Sequence, residues 1–169
     1  MIKIVIVIGK NKTIDSINEE INDERYKIIS ENEGNGLKNI TNNLYASKNI
    51  VTDLNNLYSL NAKNYHNVYL LNFDKIEITK KISKKIKLIE DPMEIVDKYQ
   101  HSKNELVVIG GKKIIDYFIP YSTAVQVIQT KYDLPGESTF DISDSNKYLL
   151  LKKQKIGDIS IEMFKYFKG

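Results

Sequence analysis

The segment Val107-Val108-Ile109-Gly110-Gly111-Lys112-Lys113-Ile114-Ile115-Asp116-Tyr117-Phe118-Ile119-Pro120 changes character at its centre. An apolar run ends in two glycines, and an amphipathic stretch begins at once. Paired glycines at the exit of a buried strand let the backbone turn where a Cβ would clash. They also leave the first N–H groups of the next helix open to an anion. The plain alternative is an ordinary strand–turn–helix, because a glycine pair has no specificity of its own.

The flanking sequence adds to this. A second β-like run, Ala124-Val125-Gln126-Val127-Ile128-Gln129-Thr130, leads to Gly136-Glu137-Ser138-Thr139-Phe140. Two alternating runs, Lys147 to Lys152 and Ile159 to Phe167, close the chain. The chain starts Met1-Ile2-Lys3-Ile4-Val5-Ile6-Val7-Ile8-Gly9-Lys10-Asn11-Lys12-Thr13-Ile14-Asp15. This order resembles dihydrofolate reductase, over residues 104–167 above all and also over 1–15. In that family a strand ends in Ile-Gly-Gly, a short helix stops near a proline, and an acidic turn precedes a final hairpin. Gly111 stands 25 residues before Gly136, and Pro120 falls where the helix should stop.

With 169 residues, the chain reads as one domain, residues 1–169, long enough to bury a core. Its hydrophobic share of 41% and charged share of 28% are globular values. No apolar run is long enough to span a membrane, and the N-terminal run is too short for a signal segment. The absence of cysteine removes disulfides, thiolate nucleophiles and zinc–thiolate sites, and fits a cytoplasmic protein. A net charge of +3, spread among acids, does not point to nucleic acid. Abundant Asn, Lys and Ile reflect an AT-rich genome. His66 and His101 match no triad or metal-ligand pattern, so no metal is expected.

Residues 2–9 read as a buried strand, because the apolar run is continuous. Residues 11–22 read as loop, and Asp23 to Ser30 as a short helix capped by Asn22 and broken by Gly34 and Gly36. The pattern from Leu37 to Asn64 is poor and rich in asparagine. Short strands are expected near 49–52 and 68–71. The alternation from Lys75 to Lys87 suits an edge strand or a solvated face. Asp91-Pro92 opens a helix running to about Gln100. Strand and helix alternate up to Pro120, after which strands dominate. The predicted fold class is therefore α/β: a dihydrofolate-reductase-like, mostly parallel central sheet flanked by helices, with a C-terminal antiparallel hairpin. Residues 2–9 and 105–109 should be neighbouring parallel strands.

The resemblance implies hydride transfer from NADPH to C6 of a pterin, with a proton delivered to N5. It implies that Gly110, Gly111, Lys112 and Lys113 meet the cofactor pyrophosphate, with a cis bond between the glycines, and that Ile14 lies on the cofactor side. A solvated helix face explains the two lysines equally well. It also implies that Val5, Val7, Ile28, Ile109 and Ile115 line the substrate pocket. All five are apolar, so a core role explains them equally. The family's buried carboxylate on the first helix falls on Lys27 when counted without gaps. A loop three residues shorter places Glu24 there as the proton-managing group and turns Ile28 to the pocket. A surface role in a helix first turn is the alternative for Glu24.

Several family parts are missing. There is no Trp. The Gly-Arg pair that binds cofactor phosphate matches Thr52-Asp53, where an acid would repel phosphate. Tyr65 and His66 stand where an Arg for the substrate tail is expected. Ile128 replaces a hydroxyl, and the acidic turn has Glu137 and no following proline. The leading functional reading is a monomeric, divergent NADPH-dependent reductase of dihydrofolate or a related dihydropterin. The alternative is an inactive protein of the same fold that binds a nucleotide or a protein partner. A relative of the reductase domain of riboflavin synthesis shares the strand–Gly-Gly–helix layout, but the C-terminal hairpin and the Gly136 turn speak against it.

Overall fold

The computed structural model describes residues 1–15, 19–34, 36–57, 60–142 and 146–167. In chain order the elements are β1 (Ile2–Ile8), β2 (Thr13–Asp15), α1 (Glu19–Glu33), α2 (Gly36–Leu44), β3 (Asn49–Thr52), α3 (Leu54–Leu57), β4 (Asn67–Leu71) and β5 (Ile86–Ile89). There follow α4 (Pro92–Tyr99), β6 (Leu106–Ile109), α5 (Lys112–Phe118), β7 (Ala124–Gln129), β8 (Ser138–Thr139), β9 (Tyr148–Ile156) and β10 (Ile159–Tyr166).

Eight strands form one sheet in the order β5-β4-β3-β6-β1-β7-β10-β9. From β5 to β7 all neighbours run parallel, and β10 and β9 close the sheet as an antiparallel hairpin. β1 and β6 are adjacent and central, with Ile2 opposite Leu106 and Val5 opposite Ile109. Their continuous apolar runs suit strands covered on both faces. Side chains alternate: Ile4, Ile6 and Val108 join one core, while Val5, Val107 and Ile109 join the other. The first core is roofed by Ile95, Val96 and Tyr99 of α4 and by Ile114, Ile115 and Phe118 of α5. The second is roofed by Ile29 of α1, Leu37 of α2, and Leu54 and Leu57 of α3.

That arrangement places the site. After β1 the chain sends α1 over the second core, and after the adjacent β6 it sends α5 over the first. Neighbouring strands whose helices leave to opposite faces open a crevice at their carboxyl ends, where open α/β sheets bind ligands. A separate two-stranded ladder, β2 with β8, ties the segment after β1 to the turn after Gly136.

Several expectations need correction. α1 starts at Glu19, so Asn22 lies within it and does not cap it. Gly34 ends it at φ +56, a left-handed stop that suits glycine. Residues 36–44 form α2, which the asparagine-rich pattern concealed. The alternating isoleucines after Lys75 form a strand only at β5, the sheet edge. Asn72 closes a side-chain turn instead: it donates to the Ile76 carbonyl (2.7 Å) and accepts from the Ile76 amide (3.1 Å). Ile76, Ile78 and Ile82 then pack on the second core without a ladder. No peptide bond among the described residues is cis, so the Gly110–Gly111 bond is trans. The helix at Asp91-Pro92 forms as read, with the Asp91 side chain accepting from the Met93 amide.

Candidate functional site

A cleft of about 240 Å³ lies over the carboxyl ends of β1 and β6, beneath α1 and α2. Its apolar wall includes Val5, Val7, Ile14, Ile29 and Ile109, and Gly110 and Gly111 form part of the rim. Six of the sequence-predicted residues therefore converge: Val5, Val7, Ile14, Ile109, Gly110 and Gly111. The others do not. Ile115 is buried in the core on the opposite face of the sheet. Ile28 packs at the margin of the second core, and its neighbour Ile29 takes the place in the cleft.

Glu24 is exposed and does not line the cleft, and Lys27, the ungapped alternative, is exposed as well. The phase of α1 explains this. Residues four apart share a helix face, and the inward face here carries Arg25 and Ile29. Arg25 is 5% exposed and lines the cleft. Its guanidinium donates to the carbonyls of Thr13 (3.2 Å), Pro135 (3.1 Å) and Val7 (3.5 Å). It thus binds together the end of β1, strand β2 and the turn before β8. Among its described side chains, α1 brings a guanidinium to the cleft lining where the resemblance implied a carboxylate.

The glycine corner is built around a second unexpected group. The Gly111 N–H donates to Asp53 Oδ2 at 2.7 Å. Asp53 Oδ1 accepts from the backbone N–H (2.9 Å) and the side-chain amide (2.7 Å) of Asn56. Asp53 thereby caps α3 and holds the glycine turn together. A Cβ on Gly110 would lie 2.3 Å from Ile114 Cγ2 and 2.9 Å from Asp53 Oδ2. Glycine is thus required there by close approach. Lys112 and Lys113 are exposed and paired, with Asp116 (2.7 Å) and Asp74 respectively. A cofactor phosphate would meet a carboxylate already seated on the N–H it needs. The residues at this corner do not fit that group.

The rest of the cleft is polar in a way that sequence reading missed. The Tyr26 hydroxyl donates to Asn56 Oδ1 (2.8 Å), linking α1 to α3. Asn42 lines the wall and accepts from the Tyr65 hydroxyl (2.6 Å). Burial pushes the Tyr65 phenol up to about 12. Tyr45 is buried beside Gln126, to whose carbonyl oxygen its hydroxyl donates, and burial raises its phenol strongly. His66 is exposed, and Ile128 is buried in the second core. Among the described lining residues, Lys38, exposed at the rim, and Arg25 are the charged ones. One signal could have found Arg25: it is the only arginine among 25 basic residues. Among the described residues there is no metal-binding cluster, and no helix is long and apolar enough to cross a membrane.

No family model matches the chain, and no curated protein matches it in sequence. Among solved structures it is similar to the dihydrofolate reductase from Enterococcus faecalis complexed with NADP(H) and RAB-propyl. The TM-score is 0.66 over 98% of this chain and 96% of that one, at 9% sequence identity. The chain therefore has the dihydrofolate-reductase-like α/β fold, a mostly parallel eight-stranded sheet with flanking helices and a C-terminal antiparallel hairpin.

Proposed function

We propose that this protein is a small-molecule-binding module built on the dihydrofolate-reductase fold, without hydride-transfer activity. The observation that carries this reading is the Asp53 carboxylate on the Gly111 N–H. Phosphate recognition at a glycine turn depends on free N–H groups and on positive local charge. Here the N–H is taken, the local charge is negative, and both following lysines are paired with acids. Proton delivery to a bound pterin calls for a carboxylate in the pocket. Glu24 faces solvent, and α1 offers a guanidinium instead. The cleft itself persists, walled by Val5, Val7 and Ile109, which supports binding without supporting the reaction.

A second reading, an NADPH-dependent reductase of a dihydropterin, draws on two observations: the cleft sits at the switch point beside the glycine corner, and the similar solved structure is a dihydrofolate reductase complexed with NADP(H). A turnover assay separates the two. Purified protein with NADPH and dihydrofolate should oxidise no NADPH above the uncatalysed rate, and methotrexate should not raise its melting temperature. Measurable turnover would establish the reductase, and stabilisation of the roughly 2.7 kcal/mol that a ligand at a hundred times its Kd confers would show that the pterin pocket still binds.

A further inference from the structure

We propose that the cleft binds a neutral small molecule with an apolar body and one hydrogen-bond acceptor, that acceptor held by the side-chain amide of Asn42. This rests on the reading of the protein as a ligand-binding module and names the class of ligand. Three observations lead to it.

The first is charge. The Arg25 guanidinium is engaged within the fold by the Thr13, Pro135 and Val7 carbonyls, and the Gly111 N–H at the rim is taken by Asp53. None of the described lining residues is acidic, and the other cation among them, Lys38, is exposed at the rim. An ionised ligand group taken below the rim would be desolvated without a dedicated counter-charge, which costs far more than burying a neutral polar group. The second is a hydrogen-bond donor. Asn42, on α2, is half-buried and lines the cleft. Its Oδ1 accepts from the hydroxyl of the buried Tyr65 at 2.6 Å. That bond spends the oxygen end of the amide and leaves the NH2 end, which carries two donors. Among the described residues that NH2 has no partner. A ligand carbonyl oxygen is the group it matches. The third is size. A cleft of about 240 Å³ lies just under the roughly 300–1,000 Å³ typical of drug-sized ligands. It has room for a single ring with a short chain and is too small for a dinucleotide or a whole folate. Val5, Val7, Ile29, Leu37 and Ile109 supply an apolar surface for that ring.

The test uses three near-isosteres, the ketone 4-phenylbutan-2-one, the anion 3-phenylpropanoate and the cation of 4-phenylbutan-2-amine, titrated into the native protein and followed by two-dimensional amide NMR. The ketone should perturb the amides of Val7, Ile29, Asn42 and Gly110 and bind about tenfold or more tightly than either ion. Asn42→Asp keeps an acceptor for the Tyr65 hydroxyl but removes the donor. It should weaken the ketone by about tenfold and tighten the cation, a reversal that mere loosening of the fold would not produce. Should that variant not fold, Asn42→Leu combined with Tyr65→Phe removes the donor and its partner together and should weaken the ketone by about three- to tenfold. An ion that binds as tightly as the ketone, no binding of the ketone at millimolar concentration, or perturbations away from the cleft would overturn the proposal. An unchanged ketone affinity in the Asn42 variants would overturn the role given to Asn42. NADPH is titrated in parallel. Its tight binding would overturn the ligand-module reading, whereas a preference for an ion without NADPH binding overturns only the neutral ligand.

Discussion

The carboxylate of Asp53 accepts the backbone hydrogen of Gly111 at 2.7 Å, joining the end of β3 to the turn between β6 and α5. An internal acid thus occupies the position at which this turn would receive an external anion. Asp53 also accepts two hydrogen bonds from Asn56, so one side chain caps α3 and secures the glycine corner. Asp53→Ala should therefore lower the free energy of unfolding by roughly 1–3 kcal/mol, the cost of losing charged hydrogen bonds and a cap. Asp53→Asn, which retains an acceptor, should cost less. Urea denaturation with an unchanged m-value checks both.

Gly110→Ala should destabilise the fold by roughly 1–3 kcal/mol through overpacking. The added methyl meets Ile114, a fully buried β-branched side chain with little rotamer freedom on a helix, and the Asp53 carboxylate. Thermal unfolding should show a lowered midpoint. An unchanged midpoint would mean that α5 can move away from β6.

Glu24→Gln should be silent. Glu24 is exposed on α1, outside the cleft, and surface substitutions of this kind usually stay within about 0.5 kcal/mol. Neither stability nor cleft binding should move, as read by denaturation and by the ligand titration. A pH-dependent loss of function in this variant would return the carboxylate to the site.

Alkaline pH should weaken the fold. Burial raises the Tyr65 phenol from 10.0 to about 12, and Tyr45 is raised further by burial. A phenol raised in the folded state gives stability that is fully present below pH 10, its unfolded value. For Tyr65 that contribution is lost as pH climbs toward about 12, because the unfolded chain releases its proton first. Melting temperature should fall over that window, and tyrosinate absorbance should show a late-titrating fraction. Tyr65→Phe should flatten part of the fall.

Much of the fold was legible because its signals were local. The continuous apolar runs at 2–8 and 106–109 specified central parallel strands, and Asp91-Pro92 marked a helix start by cap chemistry. The final alternating runs formed the hairpin β9–β10. α2 was hidden because asparagine favours turns, and its helix depends on packing Leu37 and Thr41 inward. The site was half legible for the same reason. Residues on strands fell into the cleft where expected, since their period is two and their register is fixed. α1 has one buried apolar residue, Ile29, too little pattern to set its phase, so the inward residue was misassigned. The bond from Asp53 to Gly111 joins residues 58 apart in sequence and left no trace in local pattern.

The central claim, that Asp53 leaves no place for a cofactor phosphate at the glycine corner, is tested most directly by calorimetric titration of the native protein with NADPH. The account predicts no saturable heat below about micromolar cofactor, so that any Kd is of that order or weaker. A nanomolar Kd with one-to-one stoichiometry would contradict it.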